Sequence, residues 1–389
     1  MYFPTSHPWA EGDSLGTYLE NRGVSRREFV AYCAEMTAIL GLASTMVPRV
    51  AAALSAIKRP SVVWLSLQEC TGCTESVLRT ASPTISDLVL DVVSLDFQEN
   101  LMAAAGHQAE AALQKAIAAG NYLLVVTGSV PLNDGGIYLT VGGRTAKTIL
   151  EEAGRGASAV IAVGACAHWG NIQASRPNPT GAVGVSSIIK DKPVVNIAGC
   201  PPIGDVVTAT VVHYLTFGRV PELDYDGRPL FAYGARIHDQ CSRRANFDAG
   251  QFVEAFDDEA ARKGWCLYHV GCKGPATFSP CPIVMWNSGT SWPIGAGHPC
   301  IGCTERHFWD AMTPFYGRLP NVAGFGVERY ADTIGAALAV GATAGVVAHA
   351  VATGVHQMRE RRKQLPVIEP ADKKEEKEGK EEGGRHGHN

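Results

Sequence analysis

The chain has 389 residues, long enough for two or three domains, with 46% hydrophobic and 19% charged residues. A formal net charge of -4, with no basic stripe interleaved with aromatics, excludes a nucleic-acid surface as the organising feature. Eleven cysteines in so long a chain exclude a small disulfide-stapled scaffold; all but Cys33 lie between Cys70 and Cys303.

The first element has the order of an export address. Ser25-Arg26-Arg27-Glu28-Phe29-Val30 precedes a mildly apolar run over 31–47, followed by small residues at Ala51, Ala52, Ala53 and Ala56. Paired arginines, a weakly hydrophobic stretch and an A-x-A-like region resemble a twin-arginine signal, cleaved after Ala53 or Ala56, so 1–56 is assigned as a signal region. Glu35 inside the run keeps an ordinary amphipathic helix open as the alternative. Twin-arginine export carries folded chains, which suits a cofactor inserted in the cytoplasm.

Residues 57–230 alternate short β-branched runs with helix-like stretches. Strands are predicted over 61–67, 88–95, 122–128, 160–164 and 194–198, with helices over 98–118 and 145–153. The strands are apolar without clean alternation, as when both faces of a sheet are covered. The expected fold is therefore α/β, an open parallel sheet of the flavodoxin-like kind. Cys70 and Cys73 form a CxxC just after the first strand, and Cys166 and Cys200 each follow a later one. All four fall beyond the carboxyl ends of parallel strands, where such sheets gather ligands. Four thiolates there suit a cubane iron–sulfur cluster; a zinc site or disulfides are the alternatives.

Over 231–328 the rhythm vanishes, and Cys, Gly, Pro and Trp dominate. A segment so poor in ordinary core needs bound metal to hold it. His238, Cys241, Cys266 and Cys272 form one donor set, with imidazole and thiolate three residues apart. Cys281, Cys300 and Cys303 form another, and Pro293 lies where a fourth ligand is expected. Proline offers no donor atom, so this site suits a cluster lacking one iron. The three sets use every cysteine outside the signal region.

The run over 333–355 has His349 as its one strongly polar side chain and is long enough to cross a bilayer of about 30 Å. Arg359, Arg361, Arg362 and Lys363 follow, and the positive-inside tendency keeps that end cytoplasmic with the body on the outer face. A buried Ala- and Gly-rich helix is the alternative. Residues 329–358 are assigned as a transmembrane anchor, and 359–389 as a basic flank and a disordered charged tail, in which His386 and His388 are solvated.

Four stretches together resemble one family: Gln68-Glu69-Cys70-Thr71-Gly72-Cys73-Thr74-Glu75-Ser76, Gly164-Ala165-Cys166-Ala167, Gly199-Cys200-Pro201-Pro202 and Gly297-His298-Pro299-Cys300-Ile301-Gly302-Cys303. They resemble the small subunit of nickel–iron hydrogenases, over essentially the whole chain and including the leader and anchor of the membrane-bound uptake type. The resemblance implies a proximal 4Fe–4S cluster on Cys70, Cys73, Cys166 and Cys200. It implies a medial 3Fe–4S cluster on Cys281, Cys300 and Cys303, and a distal 4Fe–4S cluster on His238, Cys241, Cys266 and Cys272. Hydrogen is then split at a nickel–iron centre in the large subunit, with no nickel in this chain, and electrons leave to a membrane cytochrome b and quinone. The assembly implied is a heterodimer or a dimer of heterodimers at the periplasmic face of the cell membrane. Oxygen-tolerant relatives carry two further cysteines at the proximal cluster; here those positions are Gly72 and Asn171, implying ordinary oxygen sensitivity. Glu69 and Glu75 flank the proximal ligands as solvated or ion-paired carboxylates, with proton passage as the alternative. Two rival functions are a complex I-like cluster-bearing protein, which resembles the first domain only, and an exported structural protein held by zinc or disulfides.

Overall fold

The structure is a computed structural model that describes residues 14–21, 23–56, 60–80, 93–319 and 328–364. The chain divides into two compact units, Met1–Gly326 and Val327–Asn389.

The first unit is built on a five-stranded sheet of β1 (Ser61–Ser66), β2 (Ser94–Gln98), β3 (Tyr122–Thr127), β4 (Ala157–Val163) and β5 (Val194–Ile197). Its order is β2-β1-β3-β4-β5 and every pairing is parallel, the flavodoxin-like arrangement. Successive residues serve opposite faces. Val62, Trp64, Leu123, Val125 and Ile161 join one apolar cluster; Val63, Leu65, Leu124, Val126 and Val160 join the other. The second face is covered by α5 (His107–Ala119) and α6 (Ala146–Gly156), through Leu113, Ile149 and Leu150. The first is covered by α9 (Gly204–Phe217), through Val206, Val207 and Val212. Two covered faces explain strands without polar alternation.

The predicted strand over 88–95 is observed as β2, starting at Ser94; residues 81–92 lie outside the described residues. The predicted helix over 98–118 begins only at His107. Gln98 Oε1 accepts from the backbone N–H groups of Asn100 (2.6 Å) and Leu101 (2.8 Å), closing a local turn that competes with the helix.

Residues assigned to the leader are folded here. They form α1 (Leu15–Asn21), α2 (Arg26–Ile39) and α3 (Val47–Ala56). Ser25 and Glu28 close a capping box on α2, leaving Arg26 and Arg27 exposed in its first turn. Leu15, Tyr32, Met36, Val50 and Leu54 are buried in the same cluster as α9.

Four further short helices hold or flank the candidate donors: α4 (Gly72–Leu78), α7 (Ala165–Trp169), α8 (Asn171–Ala174) and α10 (Leu230–Tyr233). Beyond them, among the described residues up to 319, the α-helices are single turns: α11 (Ile237–Gln240), α12 (Arg244–Asp248), α13 (Glu259–Arg262), α14 (Cys281–Val284) and α15 (Phe308–Ala311). This is the expected scarcity of regular structure.

Among its described residues the second unit contains one helix, α16 (Glu328–Gln364). Its stretch Ile334–Lys363 is long and apolar enough to cross a membrane by length and composition, with an 18-residue window of mean hydropathy 1.8. Leu338, Val340, Val346 and Val351 are all exposed along it. The predicted charged tail past 364, with His386 and His388, lies outside the described residues.

Candidate metal centres

The parallel sheet decides where the first donors meet. Cys70 follows β1, Cys73 lies in α4, Cys166 lies in α7 just past β4, and Cys200 follows β5. The turns that deliver them are tight. Gly164 has φ +93°, and a Cβ there would sit 2.3 Å from Cys73 Sγ, so any side chain at that position collides with the thiol. Burial pushes the Cys73 thiol well up, and the neighbouring Glu69, Cys166, Cys200 and Cys70 push it further. Burial likewise raises Cys166 to about 11. Asn171 Nδ2 donates to Cys166 Sγ at 3.2 Å and to Cys200 Sγ at 3.3 Å.

The flanking carboxylates separate. Glu75 is exposed and pairs with Arg79 at 3.6 Å. Glu69 accepts from the Thr127 hydroxyl at 2.9 Å, and burial raises its carboxyl above the usual range.

His238, Cys241, Cys266 and Cys272 all line one small cavity, with Phe247 and Ile294 among its apolar walls. Cys281, Cys300 and Cys303 line a second, of ≈ 340 Å³, and Pro293 is on its wall. Cys200 of the first set lines that same cavity, beside Cys303. On the other side, the backbone N–H of Lys273 donates to the Cys300 carbonyl at 2.8 Å, directly beside Cys272. Ile237 and Ile294 are shared walls of the two cavities. The eleven predicted donors are thus gathered in three contiguous groups, with Cys281, Cys300 and Cys303 in the middle. Cys33 stands apart, buried in α2, where burial pushes its thiol up to about 12.

Among the described residues no three Cys, His, Asp or Glu side chains close on one point, as a single metal ion requires. The donors ring spaces instead. Burial pushes Cys272 and Cys303 up to about 12, so these thiols hold their protons unless a metal cation takes their place. The His238 pKa is lowered, by burial first and Arg244 next, which favours the neutral imidazole that ligates metal. Donors aimed at sulfur complete the fit. Backbone N–H groups of Arg243, Gly274 and Gly302 reach Cys241, Cys272 and Cys300 at 3.4, 3.4 and 3.3 Å, and the Ser279 hydroxyl reaches Cys281 at 3.1 Å. The donor set, its burial and these hydrogen bonds suit iron–sulfur clusters. These sulfur-directed donors are not among the sequence-based expectations, although each stands two residues from its cysteine.

Residues 70–214 match the family described as NADH ubiquinone oxidoreductase, 20 Kd subunit. Residues 233–316 match the family described as the C-terminal part of the NiFe/NiFeSe hydrogenase small subunit. The chain is 51% identical over 343 residues to the uptake hydrogenase small subunit of Azotobacter vinelandii, covering 88% of this chain and 96% of that one. It is 46% identical over 362 residues to the hydrogenase-1 small chain of Escherichia coli K12, covering 92% and 97%. Among solved structures, a reduced, active Ni-Fe-Se hydrogenase from Desulfomicrobium baculatum superposes with a TM-score of 0.63 at 34% identity, covering 67% of this chain and 100% of that one.

Proposed function

The chain belongs to the small-subunit family of nickel–iron hydrogenases, and on that premise we propose that it relays electrons from hydrogen oxidation through three iron–sulfur sites to a membrane cytochrome b and quinone. It is the electron-transfer subunit of an oxidoreductase acting on hydrogen, and its partner is the large subunit of that enzyme. The match of residues 70–214 to a complex I family fits the shared first domain, while residues 233–316 separate this chain from that rival.

Cys70, Cys73, Cys166 and Cys200 would hold a 4Fe–4S cluster, Cys281, Cys300 and Cys303 a 3Fe–4S cluster, and His238, Cys241, Cys266 and Cys272 a second 4Fe–4S cluster. Such clusters supply one-electron carriage when bound. The chain's own part is to space them. Cys200 shares a cavity with Cys303, and Cys300 is hydrogen-bonded to Lys273 beside Cys272, so successive groups adjoin. That contiguity is the observation that supports the relay. The apolar walls Ile237, Trp292 and Ile294 keep water from the middle site.

Residues 1–56 serve as a twin-arginine leader, 57–230 and 231–328 as the two cluster-bearing domains, and 329–358 as the anchor, with 359–389 cytoplasmic and the body periplasmic. The bare apolar surface of α16 supports a lipid environment, since so many exposed valines and leucines are costly in water. Gly72 and Asn171 in place of two extra cysteines support ordinary oxygen sensitivity.

Anaerobic co-purification tests this function. A nickel-bearing large partner and about eleven irons per small chain are expected, from two four-iron clusters and one three-iron cluster. Truncation before Glu328 should leave hydrogen-dependent dye reduction intact and abolish quinone reduction in membranes. Far fewer irons, or a partner without nickel, overturns it.

A further inference from the structure

Asn171 is the first residue of α8, 7% exposed, and holds φ +49°, a left-handed conformation that only glycine, asparagine and aspartate adopt readily. Gly170 before it has φ +93°, so two left-handed residues in a row turn the chain back over the first thiol group. The amide that results spans two ligands brought by different strands: Nδ2 lies 3.2 Å from Cys166 Sγ, after β4, and 3.3 Å from Cys200 Sγ, after β5. Its Oδ1 is buried without a hydrogen-bond partner among the described residues. A buried amide oxygen left bare is costly, so this orientation sacrifices the oxygen to keep both N–H bonds on sulfur. Flipping the amide would instead aim an acceptor at two thiolates.

We propose that Asn171 is a positioning residue that sets the electron affinity of the first cluster, by donating to the sulfurs of Cys166 and Cys200. Adding an electron to a thiolate-bound cluster places more negative charge on its sulfurs. N–H donors bind that more negative state more strongly, and so they raise the potential at which the cluster is reduced. Asparagine therefore does more at this position than satisfy the backbone. Glycine would serve the φ angle equally well and would donate nothing.

The proposal rests on Cys70, Cys73, Cys166 and Cys200 ligating one cluster, and the experiment separates the two claims. In the intact, anaerobically purified heterodimer, Cys166→Ala should lose the electron-spin-resonance signal of one four-iron cluster; retention of that signal overturns the ligand assignment. Asn171→Gly preserves the left-handed backbone and removes the donor. Asn171→Asp preserves shape and backbone preference and replaces a donor with an acceptor. Redox titration should show that cluster reduced at lower potential in Asn171→Gly and lower again in Asn171→Asp, with the other two clusters unmoved. Should either variant fail to assemble, pulsed resonance on wild-type protein labelled with ¹⁵N-asparagine decides the same question: a side-chain ¹⁵N coupling to the reduced cluster is expected. An unshifted potential in Asn171→Gly, or an absent coupling, overturns the role of Asn171.

Discussion

The sheet over residues 61–217 and the segment over 236–319 are held by different means. In the first, Leu124, Val126, Val160 and Ile161 are all 1% exposed or less, and they lock five parallel strands between helices. In the second the elements are single turns, and beside apolar residues such as Val253, Leu267 and Trp292 stand His238, six cysteines, and Lys273 with its ammonium on the carbonyls of Pro314 and Gly317. Apolar burial stabilises in proportion to area and needs no ligand. A shell of donors around a cavity stabilises only when something fills it. The first half is a scaffold that stands by itself, and the second is a jacket shaped around its contents.

The largest expected effect follows at once. Iron removal by chelation should sharply raise amide exchange through 237–316 while β1, β3 and β4 stay protected. Equal exchange in both halves would show that residues 237–316 do not depend on bound metal for their order.

Next comes the joint between them. Arg228 has a side chain 3% exposed; it donates to Asp224 at 2.8 Å, and across to the Thr304 carbonyl at 3.0 Å and Glu305 at 3.1 Å. Arg228→Met strands those partly buried carboxylates, and removing one partner of a buried ion pair costs up to about 3–5 kcal/mol. Denaturant unfolding of the heterodimer should show that loss, and Glu305→Gln added to it should recover part. A loss under about 1 kcal/mol would mean that the joint is solvated as a surface pair is.

Much of this architecture was legible. The strands declare themselves as apolar runs because both their faces are covered, and the donors declare themselves by residue type. Spacing alone did not reveal that Cys281, Cys300 and Cys303 sit between the other two sets. In the chain they come last, and only the fold lays Cys200 against Cys303. Nor is it legible that Leu15, Tyr32 and Leu54 enter the core, because a weakly apolar run reads alike as leader or as packed helix. The hydrogen bonds of Asn171 depend on a left-handed turn that composition does not disclose.

A smaller effect probes the scaffold. Ile161 lies in β4, between β3 and β5, and is 1% exposed. Ile161→Val removes one methylene and should cost about 1 kcal/mol in a chemical melt. All three cluster signals should stay unchanged, because a rigid sheet absorbs the lost volume without moving the strand ends. A changed signal would show that the scaffold and its contents are more tightly coupled than the comparison allows.

The smallest effect on stability should come with the largest change in spectrum, at Pro293. Its ring lies on the wall of the cavity shared by Cys281, Cys300 and Cys303, and its carbonyl accepts from the His298 backbone at 2.8 Å, a bond that any residue can keep. Pro293→Cys therefore changes the donor count from three thiols to four while leaving the local turn in place, and stability should move by no more than about 1 kcal/mol. If donor identity governs this half, as volume governs the other, the oxidised three-iron signal should disappear. A four-iron signal should then appear on reduction, with one more iron per chain. If the three-iron signal persists with the introduced thiol still free, the cavity fixes its contents by shape, and the jacket is as rigid as the scaffold.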